Sequence, residues 1–157
     1  MSRVHYRKLT VADYAEARAL YDELDTRHDA IPGAWGEDRF AQILHHDGTT
    51  IFGAALDGKV VSMATLHILP NMTWEGRPYG LIANVVTHYA DQGQGYGRGV
   101  MEMAIRAAWD AKAYKIMLLT VKKNGAAGFF GKCGFRDRDK AGMVLRRAPL
   151  RDHIDQS

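Results

Sequence analysis

Hydrophobic and polar positions alternate along this chain with two different periods, and each change of period predicts where an element begins or ends. Val4 to Leu9 alternates loosely and predicts an opening strand. Residues 11–24 carry apolar side chains at helical spacing after a Thr-x-x-Asp capping box, so they predict an amphipathic helix. Residues 25–36 contain a proline and two glycines and predict a loop, and residues 37–46 predict a second helix.

The middle of the chain changes to the twofold period of strands. Residues 49–56 and 59–69 are β-rich runs on either side of Asp57-Gly58, a dipeptide that favours a tight hairpin because both positions tolerate positive φ. A polar connection follows at residues 70–78. Residues 79–87 predict the next strand, whose centre is almost unbroken apolar.

The last third returns to helical spacing and then alternates once more. A continuous apolar stripe from Val100 to Ala111 predicts a helix that opens just after a glycine-rich stretch. Residues 114–121 predict a strand that is buried on both faces. Asn124 is placed to cap a short helix that Gly134 ends, and residues 142–148 predict a final strand.

This order of elements predicts an α/β fold in a single domain over residues 1–150, followed by a polar tail at residues 151–157. The sheet is expected to be mixed, with helices on its faces. The chain length of 157 residues suits one core of this kind.

Composition and charge say little about the fold, but they exclude several classes of binding partner. The net charge of +3 and the pI of about 9.0 are only mildly basic, and the lysines and arginines are scattered, so no nucleic-acid partner is expected. Cys133 is the only cysteine, which excludes an intrachain disulfide, and the seven histidines show no spacing typical of metal ligands. No apolar run approaches the ~20 residues of a membrane span, and the first residues lack a signal-peptide core. A cytoplasmic protein without a metal or a membrane partner is therefore expected.

The candidate chemistry lies in a glycine-rich stretch between the strand 79–87 and the helix after it. Gly93, Gly95, Gly97 and Gly99 alternate there, and the lack of Cβ atoms lets backbone N–H groups converge on a ligand. The helix start adds unpaired donors and the positive end of a dipole, so a diphosphate is the expected guest. The spacing lacks the third glycine of a dinucleotide fingerprint and the Gly-Lys-Ser/Thr end of a P-loop, so both nucleotide motifs are excluded.

The run Gln92-Gly93-Gln94-Gly95-Tyr96-Gly97 fits the pattern Gln/Arg-x-x-Gly-x-Gly/Ala, and at this point the chain resembles the GNAT superfamily of N-acetyltransferases. The strand end Val85-Val86-Thr87, the segment 114–119 and the run 128–135 resemble that family's acyl-binding strand, its next strand and its late helix. Within the superfamily, residues 82–97 and 114–116 resemble the glucosamine-phosphate N-acetyltransferases most.

The resemblance implies a mostly antiparallel sheet with a splayed parallel pair of central strands, and acetyl-coenzyme A as the acyl donor in that splay. The pyrophosphate would meet the glycine-rich loop, the pantetheine arm would pair with the strand edge, and the thioester would lie near the late helix. By this resemblance, the residues that bind acetyl-coenzyme A are Val85, Val86, Thr87, Gln92, Gly93, Gln94, Gly95, Tyr96, Gly97, Arg98, Asn124, Phe129 and Phe130.

The chain departs from the family pattern at two positions. GNAT enzymes often use a tyrosine four residues before the glycine of the Gly-Phe pair, where this chain has Phe130. Many relatives place an acidic residue on the strand before the loop, where this chain has Ala83 and Asn84. Asn84 cannot take a proton, but it can hold a water or the substrate. The candidates for the general base are His88, Glu75 and His67, and the predicted catalytic residues are Asn84, His88 and Glu75.

Substrate contacts are expected from the variable connections, because aromatic walls and one carboxylate would suit a small cationic amine. The predicted substrate-binding residues are Trp35, Asn71, Trp74 and Glu75. Direct attack of such an amine on acetyl-coenzyme A in a ternary complex is the leading hypothesis. Two alternatives stay open: a protein or peptide amine as acceptor, and a non-catalytic sensor of acyl-coenzyme A. Homodimers are common among GNAT relatives, so a homodimer is a further option.

Overall fold

The computed structural model describes residues 3–24, 33–121 and 126–147. The chain divides into two compact units, residues 1–118 and residues 119–157. The first unit contains, in chain order, β1 Val4–Lys8, α1 Tyr14–Leu24, α2 Gly33–His45, β2 Thr49–Leu56, β3 Lys59–Leu69, β4 Tyr79–Thr87, α3 Tyr96–Asp110 and β5 Ile116–Leu118. Short helical turns lie at Val11–Asp13, Thr73–Gly76 and Tyr89–Asp91, and the second unit contains α4 Ala126–Lys132. The single domain over residues 1–150 stays a prediction, and the tail 151–157 lies outside the described residues.

The five strands form one sheet in the order β1-β2-β3-β4-β5. Neighbouring strands are antiparallel except β4 and β5, which run parallel, so the predicted mixed α/β sheet is confirmed. The β2–β3 hairpin turns at Asp57 and Gly58, whose φ angles of 49° and 87° are both positive, as that dipeptide predicts.

Helices cover both faces of this sheet. On one face, Phe40 of α2 and Met63 of β3 belong to a buried cluster to which α1 also contributes. Leu66, three residues further along β3, points to the opposite face. There Leu66 and Ala108 of α3 border the same space above Gly80 of β4, so α3 packs on that second face.

The second helix begins earlier than the sequence pattern predicts. α2 starts at Gly33 rather than at residue 37, and it ends at His45. Two glycines near its start favoured a loop, but each glycine costs a helix only about 1 kcal/mol. Packing of the buried Phe40 against the core outweighs that cost. Helix propensity does not include this packing energy, so the sequence pattern misses the start of the helix.

The last strand of the first unit is shorter than predicted. β5 covers Ile116–Leu118 rather than residues 114–121. Its three residues pair with Gly80, Leu81 and Ile82 of β4. A continuous apolar run therefore sets no strand length by itself, since β5 stops pairing at Ile82 although β4 continues to Thr87.

The strand predicted at residues 142–148 is wrong for residues 142–147, the part that the structure describes. No strand forms over those six residues, although their composition favours one. The apolar side chains of this segment are all exposed, and they are Met143, Val144 and Leu145. β-propensity measures how well a side chain fits a sheet that is already present, so it does not create a strand without a pairing neighbour.

Candidate active site

β4 contains a bulge near its middle. The register with β3 passes from Thr65–Ala83 to Met63–Val86, so one residue of β3 faces two residues of β4. One of those two, Asn84, has a φ angle of 52°, a left-handed value that asparagine tolerates better than most residues. A bulge bends its strand and re-aims the side chains beside it, and the Asn84 side chain is exposed.

Beyond this bulge, one edge of β4 has no neighbouring strand among the described residues of the first unit. Parallel pairing with β5 ends at Ile82 and Leu118, whereas β4 continues to Thr87. Residues 83–87 therefore lie along an edge that no described strand of the first unit covers, and we call it the free edge of β4. Such an edge can bind an extended ligand as an added strand.

The chain leaves β4 through the turn Tyr89–Asp91 and reaches α3 by a glycine-rich loop. Gly93 and Gly95 have φ angles of 79° and 88°. A Cβ atom built on either glycine would meet no other atom of the protein within 4 Å. The space beside both residues is therefore open, which suits the close approach of a ligand to the backbone.

The start of α3 supplies donors next to that open space. Gly95 is the N-cap of α3, and its carbonyl accepts a hydrogen bond from the Gly99 N–H at 3.0 Å. The N–H groups of the three residues between them, at positions 96–98, point out of the first helical turn without a carbonyl one turn earlier. Together with the helix dipole, these donors fit a diphosphate.

Gly99 has a different role from Gly93 and Gly95. A Cβ atom at Gly99 would overlap the ring of Tyr6 from β1. This glycine therefore lets the tyrosine pack against α3. The alternating glycines of the motif thus serve two purposes, ligand access at the loop and helix packing behind it.

A carboxylate of α1 holds the beginning of the loop, and no sequence pattern predicted it. Glu23 Oε2 lies 2.6 Å from His88 Nδ1, where the Nδ1–H form of the imidazole donates to the carboxylate. Glu23 Oε1 accepts the backbone N–H of Tyr89 at 2.9 Å. One carboxylate therefore fixes both the ring of His88 and the turn that follows it. The two partners are 65 positions apart in sequence, so only the fold brings them together.

Two further hydrogen bonds connect the loop to the sheet. The backbone N–H of His88 donates to the Val61 carbonyl of β3 at 2.7 Å. The side-chain amide of Gln92 donates to the Thr87 carbonyl at the end of β4, at 3.2 Å. The path from β4 to the first open glycine is therefore restrained by α1, β3 and β4.

A profile of the acetyltransferase (GNAT) family matches residues 10–135, which include β4, the glycine-rich loop and α3. The chain belongs to the acetyltransferase (GNAT) family. The predicted membership is confirmed, and the family supports acetyl transfer as the general activity of this GNAT protein.

Named relatives agree with this family. Glucosamine 6-phosphate N-acetyltransferase from Trypanosoma brucei brucei is 29% identical over 92 residues, which are 59% of this chain and 61% of that protein. The match thus spans about three fifths of the length of this relative. A solved structure from Agrobacterium tumefaciens strain C58, named provisionally as an acetyltransferase, is 39% identical with a TM-score of 0.86, over 91% of this chain and 99% of that one. Glucosamine-6-phosphate N-acetyltransferase from Arabidopsis thaliana shares the fold at 21% identity, with a TM-score of 0.80 over 94% and 99% of the two chains.

Two of the predicted base candidates of this GNAT protein are histidines with different partners. His88 has its Nδ1 2.6 Å from Glu23 Oε2, and its role as a base stays a prediction. His67, near the end of β3, shares the Thr49 hydroxyl with His46, at Nδ1–Oγ1 distances of 2.8 Å and 3.0 Å. Burial, and then the neighbouring His46, lower the pKa of His67 and favour its neutral form.

Glu75, the third base candidate, lies at the opposite end of β4 from the loop. It belongs to the turn Thr73–Gly76, in which Trp74 and Glu75 have φ angles of 53° and 60°. β4 begins at Tyr79, five residues before Asn84 and therefore roughly 16 Å from it along a strand. The structure does not bring Glu75 to the free edge of β4.

The predicted substrate residues of that turn are engaged within their own neighbourhood. The Trp74 ring stacks on the ring of Tyr114, with centroids 5.4 Å apart and planes 19° from parallel. The Asn71 side-chain amide donates to the carbonyls of Thr73 and Arg77, at 2.9 Å and 3.1 Å. Asn71 therefore holds the turn closed.

Trp35, the remaining predicted substrate residue, lies in the first turns of α2 and is 64% exposed. Its placement does not test contact with a substrate, so that role stays a prediction.

The predicted contacts to the thioester end lie in the second unit, and Asn124 lies outside the described residues. The ring of Phe130 contacts the rings of Phe129 and Phe135, at centroid distances of 5.1 Å and 6.3 Å. The Phe135 N–H donates to the Phe130 carbonyl at 3.1 Å, and Gly134 has a φ angle of 102°. This is the Schellman pattern, so Gly134 ends α4 as predicted and Phe130 provides the accompanying apolar contact. The cofactor roles of Phe129 and Phe130 stay predictions.

Two absences hold for residues 3–24, 33–121 and 126–147. No group of three or more His, Cys, Asp or Glu side chains in these ranges is arranged to hold a metal ion. Nor does any helix there combine the length and the apolar character that crossing a membrane requires.

Proposed function

We propose that this GNAT protein transfers the acetyl group of acetyl-coenzyme A to the amine of a small molecule, by direct attack in a ternary complex. The observation that carries the proposal is the free edge of β4, which continues into the open, glycine-lined start of α3. A strand edge and an anion-binding helix start, joined in one stretch, suit a ligand that combines an amide-containing arm with a diphosphate.

The groups that would hold acetyl-coenzyme A are mostly backbone groups. Residues 92–98 would bind the diphosphate through N–H groups, and Arg98, whose side chain lies 3.4 Å from Glu102, adds a cation at the same helix start. Residues 85–87 would pair with the amides of the pantetheine arm. When bound, acetyl-coenzyme A supplies an acyl thioester whose thiol, with a pKa near ~8.5, is a fair leaving group without an acid.

Acyl transfer to an amine also needs a donor to the developing oxyanion and an acceptor for the amine proton. Backbone N–H groups of residues 85–87 are donors that the strand already holds in place. Asn84, exposed at the bulge, would hold a water or the amine beside that edge. His88 follows the end of that edge, and with its ring oriented by Glu23 it would accept the amine proton, provided that the amine binds within reach of one bridging water.

A thiol-release assay tests the proposal. The full chain is incubated with acetyl-coenzyme A and, in turn, glucosamine 6-phosphate, glucosamine, spermidine, free amino acids and a short peptide with a free N-terminus. Glucosamine 6-phosphate comes first, because the Trypanosoma brucei brucei relative bears the name of that acetyltransferase. We expect amine-dependent thiol release with at least one of the small amines. Release with none of them would overturn the proposal.

A second candidate function is a non-catalytic sensor of acyl-coenzyme A. The observation that favours it is Phe130, whose ring packs on Phe135 and carries no hydroxyl to protonate a leaving thiolate. Calorimetric binding of acetyl-coenzyme A without thiol release for any amine would select the sensor. Release with the peptide alone would select a protein amine as the acceptor.

A further inference from the structure

The side chain of Gln92 occupies one backbone group at the end of the free edge. Its amide nitrogen donates to the Thr87 carbonyl at 3.2 Å, five positions back along the chain. Thr87 is the last residue of β4, and Gln92 is the first residue of the glycine-rich motif. This bond therefore joins the two parts of the proposed cofactor site, the strand edge and the loop.

The Thr87 carbonyl points away from β3. The next residue, His88, donates its N–H to the Val61 carbonyl of β3 at 2.7 Å. Successive residues of a strand direct their backbone groups to opposite edges, so those of Thr87 face the edge that no described strand covers. The pairing of Thr87 with Ser62 agrees, because their hydroxyl oxygens lie 2.7 Å apart, and side chains are closest in pairs that exchange no backbone hydrogen bonds. The carbonyl that Gln92 holds therefore points across the free edge.

A ligand that adds to this edge as a strand would need the same position. Neighbouring strands lie about 4.8 Å apart, and an N–H nitrogen of the added strand comes to about 2.9 Å from the carbonyl that accepts it. The amide nitrogen of Gln92 already lies 3.2 Å from the Thr87 oxygen. The side chain thus imitates one donor of an added strand, and it occupies space that an amide of the pantetheine arm would need.

We propose that Gln92 is an internal competitor of the acyl donor: its amide covers the Thr87 carbonyl in the unliganded chain and leaves when the pantetheine arm binds the free edge. This inference rests on the proposed use of acetyl-coenzyme A and adds a conformational step to its binding. In the unliganded chain the same contact also covers the end of the free edge against pairing with another strand.

The exchange of donors needs only a small rearrangement. Gln92 is exposed, and 3.2 Å is at the long end of the range for N–H···O hydrogen bonds. The released amide would therefore pass directly into water. Rotation about the side-chain bonds of Gln92 suffices, so the backbone N–H groups of residues 96–98 stay in place for the diphosphate.

Gln92→Met tests the competition, because methionine keeps the length of the side chain and removes the donor. The full chain is titrated by calorimetry with acetyl-coenzyme A and with adenosine 3′-phosphate 5′-diphosphate, which has the diphosphate but lacks the arm. Apparent affinity falls with the fraction of protein that is not competent to bind. We therefore expect Gln92→Met to bind acetyl-coenzyme A about threefold more tightly, as for release of one exposed hydrogen bond, and to bind the nucleotide like the wild type.

Two further variants complete the experiment. Gln92→Ala should show the same gain for acetyl-coenzyme A, which excludes a new contact of the methionine side chain as its cause. Gln42→Met is the matched control, because it makes the same change at an exposed glutamine of α2. Its affinities for both ligands should equal those of the wild type.

The outcomes separate this inference from the proposed function. If the wild type binds acetyl-coenzyme A and both Gln92 variants bind it equally or less tightly, the competition is overturned and acetyl transfer stands. That result is expected if the Thr87 carbonyl accepts from Gln92 and from the arm together, or if Gln92 supports the loop. An equal gain for the nucleotide would also overturn the competition, since the effect would not concern the arm.

A selective gain for acetyl-coenzyme A in both variants would establish the competition. The same gain without thiol release for any amine would leave it standing and overturn the proposed acetyl transfer. A wild type that does not bind acetyl-coenzyme A would overturn both.

Discussion

The segments on either side of β4 both contain residues with positive φ angles, but the residue types differ. At the end that leads to α3, positive φ angles fall on Gly93 and Gly95. At the other end they fall on Trp74 and Glu75, and then on Gly76 with a φ angle of 77°. Glycine adopts such angles without steric cost, whereas a residue with a Cβ atom loses roughly 1–2 kcal/mol.

The difference shows which backbone features a sequence discloses. The glycines at the loop favour positive φ angles, because glycine adopts such angles without a supporting contact. The turn at the other end depends on contacts around it, the Trp74 ring on Tyr114 and the Asn71 amide across the turn. The conformation of this turn therefore depends on tertiary contacts, and its residue types alone do not predict it.

The largest effect is expected from placing a residue with a Cβ atom in the glycine-rich loop, at a positive φ angle like those of Trp74 and Glu75. Gly95→Val places a β-branched side chain at a φ angle of 88° and fills the open space at the N-cap of α3. We expect acetyl-coenzyme A affinity to fall at least ~100-fold, measured by calorimetry, because the loss combines blocked approach with disturbed helix donors.

Gly58→Val is the matched control for that experiment. Gly58 has almost the same φ angle, 87°, and equally open space, but it lies in the β2–β3 hairpin. This variant should lose stability and keep its affinity for acetyl-coenzyme A. Equal losses of affinity in both variants would show that general strain, rather than the loop, controls binding.

The second largest effect is expected from removing the carboxylate that holds the start of the loop, with all its glycines unchanged. Glu23→Ala removes the partner of His88 Nδ1 and of the Tyr89 N–H. We expect the KM for acetyl-coenzyme A to rise about tenfold, because the loop must then be ordered by the ligand itself. The KM of Glu23→Gln should lie between those of the wild type and Glu23→Ala, since the glutamine amide oxygen still accepts the Tyr89 N–H. Glu16→Ala, in the first turn of α1, is the control. An unchanged KM in Glu23→Ala would show that the loop holds its shape alone.

A smaller effect is expected from relieving strain at the other end of β4. Glu75→Gly puts glycine at a φ angle of 60°, where the native residue is strained. The free energy of unfolding should increase by up to about 1 kcal/mol, less the entropy that glycine loses on folding. Urea denaturation measures it, and Glu75→Ala, which keeps a Cβ atom, should show no gain. Thiol release by the same variants also tests whether Glu75 takes part in catalysis.

The smallest effect concerns pH. The folded-state pKa of His67 is lowered by burial and by His46, so the unfolded chain binds this proton more tightly. The stability linked to His67 is therefore present above the unfolded pKa of about 6.5 and is lost as the pH falls below it. We expect His67→Asn, which still offers a partner to Thr49, to lose less melting temperature between pH 7 and pH 5 than the wild type. The exposed His5→Asn should follow the wild type, and an identical pH profile for His67→Asn would contradict the linkage.

Local signals predicted most of the fold. The Asp57-Gly58 hairpin, the apolar stripe of α3 and the end of α4 at Gly134 each follow from a few neighbouring residues, and the structure has all three. The positive φ angles of the glycine-rich loop are similarly local, because they belong to glycines within one continuous stretch of the chain.

The parts that could not be predicted depend on contacts between distant residues. The Glu23–His88 pair and the bulge at Asn84 each need two elements to meet before they exist. The exposed segment 142–147 shows the converse, since strand-forming residues without a partner form no strand. Sequence patterns therefore predict features that lie within one stretch of the chain, and they do not predict contacts that join two distant stretches.

The packing of Tyr6 into the notch left by Gly99 has a consequence for how the chain folds and how long it lasts. The two residues lie more than ninety positions apart, so their contact closes a very long loop, and such contacts form late. β1 is therefore synthesised well before α3, and the Tyr6 ring packs against Gly99 only once α3 is in place. A ligand that binds at the start of α3 favours the folded state in which this contact is complete. Under the proposed function that ligand is acetyl-coenzyme A, so the acyl donor would also slow unfolding of the chain.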